Sequence, residues 1–273
     1  MLRNRLITAA ILIPIVVAGI LLLPSDIFAV VLGLVLLLGA REMSQLAGFT
    51  HPVAQGLFMA ALAAGMLAVF FALAVQTQRP LQLAAGVVWV LATVLLVTRT
   101  SPVTPVTGRR PGVLLLGGII LLVAWCSVLT LHQLAEHGPA LVLFLFVLIW
   151  TADSGAYFAG RAWGVRKLSP QVSPGKTWAG VGGAMAGALL CALALDYLGL
   201  VPLALPATLL LCWVVTAVSI GGDLFESLLK RQAQVKDSGS LLPGHGGALD
   251  RIDSLLAAAP VFAAGLSLLE RAA

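Results

Sequence analysis

The stretch "LLLCWVVTAVSIGGDLFESLLKRQAQVKDSGSLLPGHGGALDRID", residues 209–253, joins an apolar run to a polar segment. Positions 209–222 carry no charge, whereas positions 229–253 hold seven of the chain's 27 charged residues (16 basic, 11 acidic). About a quarter of the charges therefore lie in about a tenth of the length. This contrast is typical of a bilayer-spanning helix that leaves the hydrocarbon and enters a polar region.

The composition extends this interpretation to the whole chain. It is 60% hydrophobic and only 10% charged, whereas a soluble domain has roughly 25% charged residues. Repeated apolar runs of about 20 residues predict helices that cross the bilayer. The sequence therefore predicts an all-α, polytopic membrane protein with about nine transmembrane helices. Their predicted limits are 6–23, 27–46, 53–75, 80–98, 112–131, 139–159, 178–199, 201–229 and 253–269.

The basic residues predict the orientation of these helices, because Lys and Arg collect in cytoplasmic loops. With the N-terminus inside and the C-terminus outside, 14 of the 16 basic residues fall in inside segments, and Arg79 and Arg271 fall outside. We expect a multi-pass protein of the cell inner membrane. The net charge of +5 is assigned to these loops and to anionic headgroups, so nucleic acid is not an expected partner.

Two basic loops distinguish a C-terminal part, 132–273, from N-terminal membrane helices, 1–131, that carry no recognisable motif. Each loop follows an apolar span that ends in an acid, Asp153 or Asp223. A carboxylate at membrane depth costs several kcal/mol unless a cation, a donor or water meets it. Either acid alone could simply contact interfacial water, but two acids joined to basic loops on one side favour a shared polar cavity.

The acids of the opening stretch form two groups. One helix face carries residues at three- or four-residue spacing: Asp223, Glu226, Ser227 and Lys230. Asp250 and Asp253 share a face at the start of the last predicted helix. Two opposed carboxylate pairs suit a hard divalent cation such as Mg²⁺, with waters left for a phosphate. The alternative is that Asp250 and Asp253 only complement a helix dipole.

A glycine-rich segment, "KDSGSLLPGHGGALD", separates these two groups of acids. Gly244, Gly246 and Gly247 permit backbone conformations closed to other residues, so main-chain amides can approach a ligand. Such amides before a helix start form a natural anion site, although His245 can equally be an exposed loop residue. Four cations surround the segment: Lys230, Arg231, Lys236 and Arg251.

The other basic loop contains "SPGKT", Ser173 to Thr177, which ends like a phosphate-binding loop. Pro170 replaces the first glycine of G-x-x-x-x-G-K-T, and no preceding strand is expected, so a Walker-type ATPase is excluded. Ser173, Lys176 and backbone amides can still bind phosphate. Acids, glycine-rich turns and cations at one face together indicate phosphoryl or nucleotidyl transfer.

The segment Ser227 to Asp253 resembles the signature of the phosphatidate cytidylyltransferases (CDP-diacylglycerol synthases). All fixed positions of S-x-x-K-R-x4-K-D-x-G-x2-L-P-G-H-G-G-x-x-D-R-x-D are matched over these 27 residues. The upstream segment 152–180 resembles the same family. It departs from the family at Ala179, where Glu or Gln is expected, so any polar role at that position is in doubt.

The resemblance implies that CTP and phosphatidate give CDP-diacylglycerol and pyrophosphate, in a polar catalytic cavity at the cytoplasmic face. It implies Mg²⁺ as cofactor, with Asp153 at a second cation site and Asp237 orienting Lys236. The implied catalytic residues are Asp223, Asp250, Lys230, Lys236 and Asp237. The implied metal ligands are Asp223, Asp250, Asp253 and Asp153. The implied substrate- and phosphate-binding residues are Lys176, Ser173, Arg231, His245, Gly246, Gly247 and Arg251.

The expected partners are CTP, phosphatidate and membrane lipid, and a homodimer is an open alternative. One competing hypothesis is a related CTP-dependent kinase of polyprenol or dolichol, which would release CDP instead of pyrophosphate. A second is an ion-coupled secondary transporter with acids at mid-bilayer, but the acids here gather at one face beside glycine-rich loops. Acyl-chain preference and the residues that read cytosine stay open.

Overall fold

The computed structural model describes residues 2–72, 75–201, 203–239 and 246–272. These residues form nine α-helices and one short β-hairpin. The helices are α1 Leu2–Leu22, α2 Ser25–Leu46, α3 Pro52–Ala72, α4 Val75–Thr98, α5 Pro111–His132, α6 Gly138–Trp163, α7 Trp178–Tyr197, α8 Leu205–Gln232 and α9 Leu249–Ala272. Among the described residues, eight of these helices, α2 to α9, are long and apolar enough to cross a membrane. The predicted all-α, polytopic membrane fold is confirmed.

Local chemistry sets several of the helix starts. α5 begins at Pro111, and α6 and α8 also carry proline in their first turn. Proline is favourable there because the first amides of a helix have no intrahelical partner, so its missing N–H costs nothing. Thr177 caps α7, because its side chain accepts a hydrogen bond from the backbone N–H of Gly180 at 3.1 Å. The cap fixes where the loop carrying SPGKT ends and the helix begins.

The hairpin occupies the basic loop between α6 and α7. β1, Lys167–Ser169, pairs antiparallel with β2, Ser173–Thr177. The expectation of no strand before Lys176 is therefore wrong. Such short strands leave no readable periodicity in a sequence, and this hairpin depends on distant contacts, because Leu168 and Val172 are buried in one cluster with Leu224 of α8. The docked hairpin holds β2 beside α8.

Helix ends alternate between two faces of the bundle. We call one of them the basic face, and it carries the segments 99–110, 164–177, 233–239 and 246–248. The backbone N–H of Arg110 donates to the carbonyl of Ala47, and that of Val106 donates to the carbonyl of Gln232, both at 2.9 Å. The start of α5 therefore lies beside the ends of α2 and α8.

The opposite face is joined by His132, the last residue of α5. Its Nε2 lies 2.9 Å from the carbonyl oxygen of Ile20, and its Nδ1 lies 2.9 Å from the hydroxyl of Ser25. The end of α5 therefore meets the end of α1 and the start of α2. Successive helices cross the bundle in alternate directions, in agreement with the predicted order of spans.

This alternation predicts labelling from opposite sides of the membrane. Thr107 is exposed at the basic face, and Glu136 is exposed in the loop that follows α5. We expect Thr107→Cys and Glu136→Cys to react with a membrane-impermeant maleimide from opposite sides of sealed vesicles. The three native cysteines are buried, so background labelling should be low. Labelling of both positions from one side would contradict the alternation.

Candidate active site

A cavity of about 460 Å³ opens at the basic face between α6, the hairpin, α7 and α8. Its lining includes Asp153, Lys176 and Asp223, which sequence analysis selected from separate segments. Lys176 Nζ lies 2.6 Å from Asp223 Oδ2, and both side chains are partly exposed. The predicted polar cavity is present, and it brings the SPGKT segment to the acid near the end of α8.

Close packing of α6 on α7 shapes one wall of this cavity. Gly155 and Gly183 face each other so closely that a Cβ on either would collide with the carbonyl oxygen of the other. Small residues allow this approach, which stabilises helix pairs in a bilayer through van der Waals contact. The packing brings Asp153 within electrostatic range of Lys176 and Asp223.

The predicted polar face of α8 is observed. Ser227 Oγ donates to Asp223 Oδ1 at 3.2 Å, and Lys230 Nζ donates to Glu226 Oε2 at 2.6 Å. Lys230 Nζ also donates to Asp250 Oδ1 on α9 at 2.6 Å, so one ammonium group joins two helices. Glu226 shared the predicted face without being assigned a function. It is buried, and its Oε1 has no hydrogen-bond partner among the described residues.

Asp250 ties the glycine-rich loop to the start of α9. Its Oδ2 accepts hydrogen bonds from the backbone N–H groups of Ser238, at 3.0 Å, and of Gly247, at 2.8 Å, and it lies 3.0 Å from the hydroxyl oxygen of Ser238. Gly246 has a φ of 78°, which a glycine adopts without strain. Lys230 Nζ donates to the other oxygen, Oδ1, so at least three protein donors are held by a carboxylate that has about four lone-pair sites. Most of the hydrogen-bonding capacity of Asp250 is therefore used within the protein.

Glu42 of α2 holds the same loop from the other side. Its Oε2 accepts from Ser238 Oγ at 2.9 Å and from the backbone N–H of Leu249 at 2.7 Å, and its Oε1 accepts from the backbone N–H of Ala248 at 3.0 Å. Glu42 is buried. Sequence analysis missed it because residues 1–131 carry no motif, yet an acid directly after an apolar run is itself a signal of function in a membrane protein.

Asp253 and Arg251 both lie on α9 near the cavity. Asp253 is within electrostatic range of Asp223 and Glu226, so it links the cavity to the buried group around Lys230. Arg251 is exposed and lies within electrostatic range of Asp153. The structure therefore brings the predicted acids of α6, α8 and α9 together.

The remaining predicted residues lie farther out on the basic face. Lys236 and Asp237 are exposed. In the described part of the chain, neither forms a hydrogen bond or an ion pair with the other or with a third residue. Arg231 is also exposed, and its Nε donates to the carbonyl of Val172 at 3.5 Å. Ser173 is half-buried at the start of β2. His245 lies outside the described residues.

Comparison with known proteins gives this site a family context. The sequence model of the Cytidylyltransferase family matches residues 3–269. The chain belongs to this family. It is 46% identical to a phosphatidate cytidylyltransferase of Pseudomonas aeruginosa over 267 residues, covering 97% of this chain and 96% of that protein. It is 36% identical to the Haemophilus influenzae protein of the same name, covering 96% and 97%, and 38% identical to the Bacillus subtilis one, covering 62% and 63%.

Ala179, the predicted departure from the family's motif, is the second residue of α7 and is half-buried. It does not appear in the lining of the cavity, which includes its neighbours Thr177 and Gly180. The structure therefore shows no polar role at this position.

The Glu42 contacts generate a test of loop positioning in this cytidylyltransferase. In Glu42→Gln an amide NH₂ replaces one oxygen and faces hydrogen-bond donors, so the loop should detach from α2. We expect trypsin to cleave after Lys236 at least tenfold faster in detergent, measured by mass spectrometry of the released peptides. Glu136→Gln, in an exposed loop, is the control. Equal cleavage rates in the wild-type protein and Glu42→Gln, with helicity unchanged, would show that Glu42 does not hold the loop.

Proposed function

We propose that this protein transfers the cytidylyl group of CTP to phosphatidate, giving CDP-diacylglycerol and pyrophosphate. The observation that carries the proposal is the cavity at the basic face, where Lys176 and Asp223 meet within hydrogen-bonding distance. Full-length similarity to phosphatidate cytidylyltransferases supports it. The membrane fold suits the acceptor, because the phosphate of phosphatidate lies at the headgroup level of the bilayer.

The reaction needs no nucleophile from the protein. A phosphate oxygen of phosphatidate attacks the α-phosphorus of CTP and forms the new P–O bond. The bond from that phosphorus to the oxygen bridging to the β-phosphorus breaks, and pyrophosphate leaves with the electron pair. Both reactants are anions, so the protein must bring them together and neutralise their charge.

The residues for this task lie in the cavity and on the basic face around it. Lys176 lies in the cavity, and the amide of Gly246 stands just before α9, where a helix favours anions. The amide of Gly247 donates to Asp250 and would exchange this bond for one to a phosphate. Exposed Lys236, Arg231 and Arg251 add positive charge to the basic face. We propose that these groups bind the phosphates of CTP. Half-buried Lys230 then acts by positioning Asp250 and the loop, because its ammonium group lies 2.6 Å from each of its two carboxylate partners.

The donor set fits Mg²⁺. Among the described residues, no three His, Cys, Asp or Glu side chains are grouped closely enough to hold a metal alone, but Mg²⁺ commonly binds one or two carboxylates and takes its other ligands from water and substrate phosphates. Five carboxylates and three cations interact here, which leaves two negative charges in excess when all are ionised. The acids are Asp153, Asp223, Glu226, Asp250 and Asp253, and the cations are Lys176, Lys230 and Arg251.

We propose that Asp223 and Asp253 hold this Mg²⁺, that Asp250 serves mainly to fix the glycine-rich loop, and that Asp153 serves a second cation. When bound, Mg²⁺ would neutralise phosphate charge around the transferred group. The orphaned Oε1 of Glu226 adds a further acceptor to this acidic group.

The basic residues support a cytoplasmic position for the basic face, in the inner membrane, with CTP entering from the cytoplasm. The Thr107 position would then be labelled from the cytoplasmic side only. Formation of a homodimer and the lack of nucleic-acid binding stay predictions.

The proposal is tested by following CTP labelled at the α-phosphate or at the γ-phosphate, with the purified protein, phosphatidate and Mg²⁺. Cytidylyl transfer moves the α-label into lipid and the γ-label into pyrophosphate. A lipid kinase would instead move the γ-label into lipid and release CDP, and that result, or no transfer to lipid, would contradict the proposal.

Asp223→Asn keeps the shape of the side chain and removes its charge. We expect it to lose at least hundredfold in turnover, about 2.7 kcal/mol in barrier, with partial recovery at high Mg²⁺. Asp196→Asn, exposed at the far end of α7, is the matched control and should behave as the wild type. Near-normal turnover in folded Asp223→Asn protein would refute the role of Asp223.

A further inference from the structure

One cation in the cavity lining has no place in the scheme above. Arg161 lies in the last turn of α6 and lines the cavity together with Tyr157, Lys176 and Asp223. Its Nη1 donates a hydrogen bond to the hydroxyl oxygen of Tyr157, one turn earlier, at 3.0 Å. The pair therefore presents a guanidinium group and a phenol hydroxyl to the same space.

The charge of Arg161 is available for a ligand. Lys176 is ion-paired with Asp223, and Lys230 is held between two carboxylates. No ion pair joins Arg161 to a carboxylate in the described part of the chain. A guanidinium group stays ionised in proteins and offers a planar set of donors that matches a phosphate group.

The surroundings of Arg161 place it beside lipid. Phe158 is 69% exposed and Trp163 is 74% exposed, although both are large apolar side chains near the end of a membrane-spanning helix. Aromatic residues at such helix ends mark the headgroup level of a bilayer, and an arginine there extends its charged end toward the headgroups. The rim of the cavity at α6 thus combines apolar contact for lipid with a cation for its phosphate.

We propose that Arg161, together with the Tyr157 hydroxyl, binds the phosphate of the acceptor lipid at the α6 rim of the cavity. This inference rests on the proposed function, and it assigns the lipid phosphate to Arg161 and the nucleotide phosphates to Lys176 and the glycine-rich loop. The two anions would then approach the cavity from different sides, one from the bilayer and one from water. Arg161 holds the lipid beside the reacting atoms.

The site also explains how a phosphomonoester lipid is chosen in a membrane full of phosphodiesters. A phosphate monoester has a second pKa near 6, so it carries close to two negative charges at neutral pH, whereas a diester such as phosphatidylglycerol carries one. A guanidinium group and a hydroxyl donor gain more from the doubly charged group with its three terminal oxygens. Phosphatidylglycerol should therefore compete weakly for the Arg161 site.

Arg161→Gln separates the two substrates in steady-state kinetics. In mixed micelles we expect the KM for phosphatidate, expressed as surface mole fraction, to rise at least tenfold, while the KM for CTP stays within about twofold. Arg161→Lys should fall between the wild type and Arg161→Gln, because it keeps the charge without the planar donors. Arg166→Gln is the matched control. Arg166 is exposed and does not line the cavity, and its guanidinium carbon lies 5.7 Å from the centre of the Trp178 ring.

A binding measurement makes the result independent of turnover. Phosphatidate added to detergent-solubilised wild-type protein and to Arg166→Gln should raise their unfolding temperature, and phosphatidylglycerol should do so less. Arg161→Gln should lose this shift and keep the shift caused by CTP. Failure of the proposed function would appear differently, as wild-type protein that binds phosphatidate without forming CDP-diacylglycerol.

Three outcomes would overturn the assignment of Arg161. If Arg161→Gln raised the KM for CTP instead of that for phosphatidate, Arg161 would bind the nucleotide. An equal effect in Arg166→Gln would show that any arginine at this membrane face attracts anionic lipid. If phosphatidate raised the unfolding temperature of Arg161→Gln as much as that of the wild type, the lipid phosphate would bind elsewhere.

Discussion

The rest of the site depends on two ion pairs of Lys230, whose ammonium group lies 2.6 Å from both Glu226 and Asp250. These ion pairs join α8 to α9. Ions in such a buried position are costly to desolvate, and removal of one partner leaves the others uncompensated, typically at a cost of 3–5 kcal/mol. Because Asp250 is fixed in this way, its other oxygen can hold the glycine-rich loop, and the loop defines the entrance for anions.

The need to hold the glycine-rich loop also explains why α2, a helix without any motif, contributes to the site. The loop amides that approach α9 would be buried without partners, and buried amides need acceptors. Glu42 supplies both of its oxygens to them, so α2 of the N-terminal part completes a structure whose signature lies entirely in the C-terminal part. The hydroxyl of Ser238 donates to Glu42 and its backbone N–H donates to Asp250, so this residue connects the two carboxylates.

The sequence predicted most of the fold, because a span of about 20 apolar residues is a local property that can be read without tertiary information. It also predicted the shared face of Asp223 and Lys230, since three- and four-residue spacing fixes neighbours on one helix. The hairpin and Glu42 escaped it for one reason. Their roles arise from contacts with distant segments, such as the burial of Leu168 against α8, and no local spacing encodes such contacts.

A double-mutant cycle between Lys230 and Asp250, measured as kcat/KM for CTP, tests the central claim that these residues act as one unit. Lys230→Met and Asp250→Asn should each lose at least hundredfold, about 2.7 kcal/mol. If each residue serves to hold the other and the loop, the double variant should lose less than about threefold more than the worse single variant. Losses that multiply, so that the double variant falls by about ten-thousandfold, would mean that the two residues act independently and would contradict the account.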